Sequence, residues 1–277
     1  ADDVYDKFDE ALVEGHPLGS SILGTAASVK KITGKELKLF TKEHFVPANM
    51  ALAIVADIDE KRMEENVLKL AGKVFTKVPM AGGERVVTPI PLKPAFNRQV
   101  EKRNHEVNAV IGNFAPSLYD TEERFAAILM SNIIGGPASN SLLNSLLREK
   151  NGWVYGVESS YSQYTESGIM TISLGCERGN LEKCLDAIWK VIRKMQNEEY
   201  SSVRLKAAKK QILGQLAISS DNGEAQCLSM GKSLMSLGNI FTDRQNREAI
   251  EAVTSEGIRD AAVRIFNPES TSSLIFL

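Results

Sequence analysis

The stretch 142–160, LLNSLLREKNGWVYGVESS, ends a leucine-rich helical run on an arginine, Arg148, and places a tyrosine, Tyr155, seven residues later in a strand pattern. Guanidinium and phenol are both hydrogen-bond donors. The pair is either the end of a buried helix and the start of a sheet, or half of an active site. The residues alone also satisfy the plainer alternative. An arginine near a helix C-terminus is favoured by the helix dipole, and tyrosine is common in strands. Other chemistries find less support. The three histidines, His16, His44 and His105, are far apart in sequence. The three cysteines, Cys176, Cys184 and Cys227, match no C-x-x-C motif and are expected to be reduced, partly buried and cytoplasmic. There is no G-x-x-x-x-G-K-[ST] loop and no G-x-S-x-G elbow. The pair Gly135–Gly136 lacks a dinucleotide fingerprint and suits close helix packing.

Bulk properties narrow the field further. The 277 residues are 43% hydrophobic and 25% charged, enough apolar mass for one large or two smaller domains. With 33 basic and 35 acidic residues the formal charge is −2, too balanced for a global field that holds nucleic acid or an anionic membrane. The basic run RLKAAKK at 204–210 has the spacing of a solvated helix face. No apolar run of about 18 residues occurs, so no membrane-spanning helix is expected. The acidic, amphipathic ADDVYDKFDE is not expected to be a signal peptide.

The elements that must position Arg148 and Tyr155 follow from periodicity. Residues 2–13 read as a helix with Val4, Phe8, Leu12 and Val13 on one side. Thr33 and Glu36 form a capping box that opens a helix ending near Phe45 and Pro47. MALAIVAD, bounded by Asn49 and Asp57, reads as a buried strand. Asp57 or Asp59 starts a helix through about Val74. Four prolines and two glycines in 78–97 make a linker. Then come one long bent strand or two strands, a helix from Thr121 to about Ile134, the break GGPASN, and the leucine helix. A hairpin of 153–163 and 168–176 turns through TESG. Helices fill 179–266, and TSSLIFL is a terminal strand. The methionines Met130, Met170 and Met195 fall at core positions. Runs of strands and helices without βαβ alternation predict an α+β fold, an antiparallel sheet packed by helices.

An internal repeat is also readable. ITGKELKLFTKEHFVPANMALAI, from Ile32, and VTSEGIRDAAVRIFNPESTSSLI, from Val253, share Thr33/Thr254, Leu37/Ile258, Phe45/Phe266 and Pro47/Pro268 at a constant offset of 221 residues. The second copy fits after the linker; the first does not fit before it. This predicts two homologous half-units with the first truncated: 1–80 a remnant of the first, 81–97 the linker, 98–277 the second.

These pieces resemble the pitrilysin, insulinase and mitochondrial processing peptidase family of zinc metallopeptidases. HPLGSSILG with PANMALAIVADID is similar to the tail of that family's zinc-bearing half-unit. GGPASNSLLNSLLREKNGWVYGVESSY is similar to its metal-free half-unit. The resemblance implies a zinc metalloendopeptidase acting on short or unfolded peptides. It implies Arg148 and Tyr155 as catalytic donors to a peptide carbonyl becoming an oxyanion, and Gly135, Gly136 and Gly152 as substrate-binding positions, Gly152 also allowing the tight turn. A homodimer is plausible from the same source.

The sequence departs from the family at the metal. An inverted H-x-x-E-H holds zinc through two imidazoles one turn apart, with the glutamate as general base. In FTKEH at 40–44, Phe40 stands where the first ligand belongs, so Glu43 and His44 are expected to be ordinary helix residues and His16 a loop residue. No metal ligand is expected in this chain. Zinc would come from a missing N-terminal portion or from a partner subunit. The alternative is a non-catalytic partner or structural core subunit of the same fold.

Overall fold

The computed structural model describes residues 2–75, 87–102 and 106–277. The first part of the linker, 78–86, and His105 lie outside them. In chain order the helices are α1 (Asp2–Leu12), α2 (Ala26–Lys31), α3 (Gly34–His44), α4 (Glu60–Phe75), α5 (Thr121–Gly135), a π-helix (Asn144–Lys150), α6 (Leu181–Asn197), α7 (Ser202–Ser220), α8 (Gly223–Leu237), α9 (Asp243–Ala252) and α10 (Ser255–Ile265). The strands are β1 (Asn97–Val100), β2 (Val107–Ala115), β3 (Val154–Gln163), β4 (Gly168–Cys176) and β5 (Ser272–Phe276).

The chain divides into two compact units. The first comprises residues 1–22, 87–213 and 244–277; the second holds the described parts of 23–86 together with 214–243. These units cut across the sequence divisions at 80 and 97. Residues 1–22 join the later part of the chain because the apolar stripe of α1 finds its cover there.

The first unit is built on a five-stranded sheet of order β1-β5-β2-β4-β3. β2 pairs antiparallel with β4 and β5, and β3 with β4, whereas β1 adds to β5 in parallel. Alternation along the strands separates two cores. Val107, Ala109, Ile111, Met170, Ile172, Leu174 and Ile275 pack under α5, α6 and α10. Their neighbours Val110, Ile169, Leu274 and Phe276 point the other way, onto Val4, Phe8 and Leu12 of α1 and Val13 just beyond it. The period-3.6 stripe read from the sequence is thus buried against period-2 positions of the sheet. Gly112 leaves room for it: a Cβ there would come 3.1 Å from the Phe8 ring.

In the second unit the expected cap of α3 is present. Thr33 Oγ1 accepts from Glu36 N at 3.3 Å, and Thr33 N donates to Glu36 Oε2 at 2.7 Å. Asp59 caps α4 by accepting from Arg62 N at 3.1 Å. MALAIVAD is a correction. Among the described residues no strand pairs with it, and Leu52, Ile54 and Val55 are exposed rather than buried. An apolar run becomes a buried strand only when neighbours take up its backbone N–H and C=O groups.

Candidate functional site

The leucine helix carries Leu143 and Leu147 into the core and leaves Arg148, Glu149 and Lys150 outside. Its last turns widen into the π-helix, and the end is tied off three ways. Asn151 Nδ2 donates to Leu146 O at 2.7 Å. Gly152 N donates to Arg148 O at 3.0 Å and Trp153 N to Leu147 O at 2.9 Å. Gly152 adopts φ +61°, and a Cβ there would touch nothing within 4 Å, so glycine is required by conformation and not by space. The turn delivers the chain into β3, an edge strand.

Tyr155 sits where the β3–β4 register shifts between Val154 and Gly156, a bulge that re-aims its side chain outward. It is 59% exposed. The Glu177 and Glu106 carboxylates lie near its hydroxyl. The phenol is held above its ordinary range, first by desolvation and then by the Glu177 and Glu106 carboxylates. The Arg148 side chain is exposed and makes no hydrogen bond or ion pair among the described residues. No described hydrogen bond links it to Tyr155, and neither residue lines any of the three cavities described in the first unit.

Gly135 and Gly136 are buried. A Cβ on Gly135 would lie 2.5 Å from Ser159 N, so its absence lets α5 rest directly on β3. Ser131 Oγ fixes the same crossing, 3.1 Å from Ser159 O. The Gly136 carbonyl accepts from Asn144 Nδ2 at 3.3 Å. Gly135 therefore seats α5 on β3, Gly136 ties the end of α5 to the helix that carries Arg148, and neither is displayed toward solvent. Gly135→Ala should cost about 1–3 kcal/mol by overpacking a backbone contact that cannot yield. Urea titration of the purified chain measures this, and an unchanged midpoint would show that the crossing is loose.

Sequence reading missed a second polar cluster. A cavity of about 260 Å³ opens between α1 and the sheet, lined by Asp9, Glu158, Ser160, Ser162, Thr171 and Ser173 among others. The signal was present: Glu158, Ser160 and Ser162 alternate along β3 and so share one face. Burial, reinforced by Asp6, pushes the Asp9 carboxyl up to about 6. The folded chain therefore keeps this proton where the unfolded chain has released it. Between about pH 4 and 6 stability falls as pH rises. Asp9→Asn should remove that slope and stabilise the chain at pH 7 by on the order of 1–2 kcal/mol once solvent screening is allowed for. Denaturant titrations at pH 4 and 7 decide it; a variant with the parent's slope would refute the assignment.

Two of the three histidines, His16 and His44, are among the described residues. The His16 ring is engaged on both sides, Nε2 donating to Thr88 O at 3.0 Å and Nδ1 accepting from Leu18 N at 3.2 Å. His44 lies in the last turn of α3, its ring 4.5 Å from that of Phe40. Among the described residues no group of three His, Cys, Asp or Glu side chains could hold a metal. No helix of the described residues is long and apolar enough to cross a membrane.

The described residues thus form an α+β domain, a five-stranded sheet flanked by helices, with Arg148 and Tyr155 exposed on either side of the Gly152 turn. Residues 31–212 match the family model described as the peptidase M16 inactive domain, and the chain belongs to that family. It is 24% identical over 277 residues to the uncharacterized zinc protease YmxG of Bacillus subtilis, covering 99% of this chain and 65% of that protein. It is 26% identical to an uncharacterized zinc protease of Rickettsia bellii, covering 98% and 64%. The chain thus spans just under two thirds of these relatives. Its fold is similar to a crystal structure of a peptidase M16 inactive domain from Pseudomonas fluorescens, with TM-score 0.84, 19% identity, and 99% and 64% coverage.

Proposed function

We propose that the chain is part of a zinc metalloendopeptidase acting on short or unfolded peptides, and that it supplies the metal-free half of a composite site. Arg148 and Tyr155 offer a guanidinium and a phenol to the substrate carbonyl as its oxygen gains charge. The carrying observation is the corner itself: the positive-φ Gly152 turn folds β3 back from the helix end, leaving both donors exposed on either side of it. The zinc belongs to a portion outside these 277 residues or to a partner subunit. Relatives named as zinc proteases support that reading.

Elemental analysis of the isolated chain should find no stoichiometric zinc, and the chain should not cleave peptides. About one tightly held zinc per chain would mean that the ligands have been misread. The intact protein, in contrast, should hold zinc and cleave an unstructured peptide.

A second reading, a non-catalytic partner or structural core subunit, is favoured by one contact. The Glu177 carboxylate lies near the Tyr155 hydroxyl that the catalytic reading needs for substrate. One structural neighbour, at TM-score 0.80 and 15% identity, is a chain of Complex III2 from Candida albicans. An intact protein that binds zinc-bearing partners yet leaves peptides uncut would support this second reading.

A further inference from the structure

The α1 face of the sheet is chemically divided. Over β2 and β5 it presents Val110, Leu274 and Phe276, which α1 covers. Over β3 and β4 it turns polar, in the hairpin register Glu158↔Ser173, Ser160↔Thr171 and Ser162↔Ile169. Side chains paired in this way lie about 4.5–5.5 Å apart at Cβ, so their polar ends share one surface. The cleft of about 260 Å³ is the gap between this polar half and α1. Both walls belong to the first unit.

The polar groups that line the cleft do not satisfy one another. Ser173 is only 5% exposed, yet no hydrogen bond among the described residues uses its hydroxyl, which opens into the cleft. The Ser160 and Thr171 hydroxyls and the Glu158 carboxylate are likewise unused among the described residues. On the opposite wall the half-buried Asp9 carboxylate has Asp6 as its charged neighbour and makes no hydrogen bond or ion pair among the described residues. No basic residue lines the cleft. The fold thus gathers acceptors and negative charge without a donor or a cation. A buried acceptor left without a donor is costly, and an ionised one more so.

The chemistry of the lining selects among possible occupants. Water would hydrate the hydroxyls but leave the Asp9 charge uncompensated. A hard divalent ion takes six or more oxygen ligands, several of them carboxylates. Among the described residues no three His, Cys, Asp or Glu side chains converge to hold one. A primary ammonium brings one positive charge and three N–H donors, which match one carboxylate and two hydroxyls. Carbon has a place as well: Phe8, Val110 and Ile169 line the same cleft and are 0%, 0% and 3% exposed. The volume is several times the roughly 30 Å³ of one water molecule, room for a short alkyl chain.

We propose that the cleft between α1 and the β3–β4 hairpin binds a small primary alkylammonium ion, its nitrogen held by the Asp9 carboxylate and the Ser173 and Thr171 hydroxyls, its carbons laid on Phe8, Val110 and Ile169. Glu158 adds negative potential that draws the cation in. Neither zinc nor a scissile peptide takes part, so amine binding and peptidase activity stand or fall separately.

Titration calorimetry on the purified full-length protein, with n-butylammonium as the probe, tests the site. One saturable site is expected at about pH 8, with butanol and tetramethylammonium far weaker, because the first lacks the charge and the second lacks N–H donors. Asp9→Asn should weaken binding by about 10–100-fold and Ser173→Ala by about 3–10-fold, the usual losses for a charged and a neutral hydrogen-bond partner. Circular dichroism and unfolding midpoints of both variants establish that they remain folded. The parent supplies a test free of substitution. The Asp9 carboxyl titrates at about 6, with Asp6, Glu158, Tyr5 and Tyr164 as the other titratable groups around it. At about pH 5 only about a tenth of it is ionised, so affinity should fall about tenfold from its value at about pH 8. No saturation by about 10 mM probe, an equal response to tetramethylammonium, or an affinity indifferent to Asp9→Asn would each overturn the proposal.

Discussion

Tyr155→Phe in the intact protein should, on the proposed composite site, lower kcat by about 10²–10³, roughly 3–4 kcal/mol of transition-state stabilisation, the loss expected when one oxyanion donor is removed. The phenyl ring keeps its place, since the side chain is exposed and its removal of an oxygen empties no core volume. The melting temperature should therefore stay near that of the parent. Arg148→Lys should also reduce turnover, as a point charge cannot reproduce the planar fork. The Glu177 contact adds a discriminating control. If Glu177 only parks the hydroxyl between turnovers, Glu177→Gln leaves activity largely intact, whereas Tyr155→Phe does not. The opposite pattern, lost stability with normal turnover per folded molecule, would make the corner structural.

Phe8→Ala should destabilise the chain by about 3–5 kcal/mol, the usual loss for a fully buried aromatic side chain. Phe8 is 0% exposed and anchors the α1 face of the sheet, its ring 5.6 Å from that of Phe96 and in one cluster with Val110, Leu274 and Phe276. Without it, α1 keeps only Val4 and Leu12 as buried anchors, with Val13 just after it, too little to hold a helix whose acidic residues favour water. Limited proteolysis should then cut within residues 2–20 before the sheet is touched. Phe8→Leu, which conserves most of the volume, should restore much of the stability. A Phe8→Ala variant that melts like the parent would mean that α1 contributes no packing energy to this sheet.

Local chemistry was legible in the sequence. Thr33 and Glu36 announced their capping box, TESG its hairpin, Gly152 its turn, and Val4, Phe8, Leu12 and Val13 one buried helix face, because each signal involves residues within a turn or two of one another. Tertiary structure alone decided what those faces meet. Periodicity says that α1 buries a stripe, not that the stripe lies on Leu274 and Phe276, more than 260 residues away. The same apolar pattern becomes β5 in one copy and an unpaired run at 51–55 in the other, because a strand exists through its neighbours' hydrogen bonds and not through its own residues. The parallel addition of β1, the Glu177 and Glu106 carboxylates beside Tyr155, and the Asp9 cavity are likewise products of long-range pairing, which no local pattern encodes.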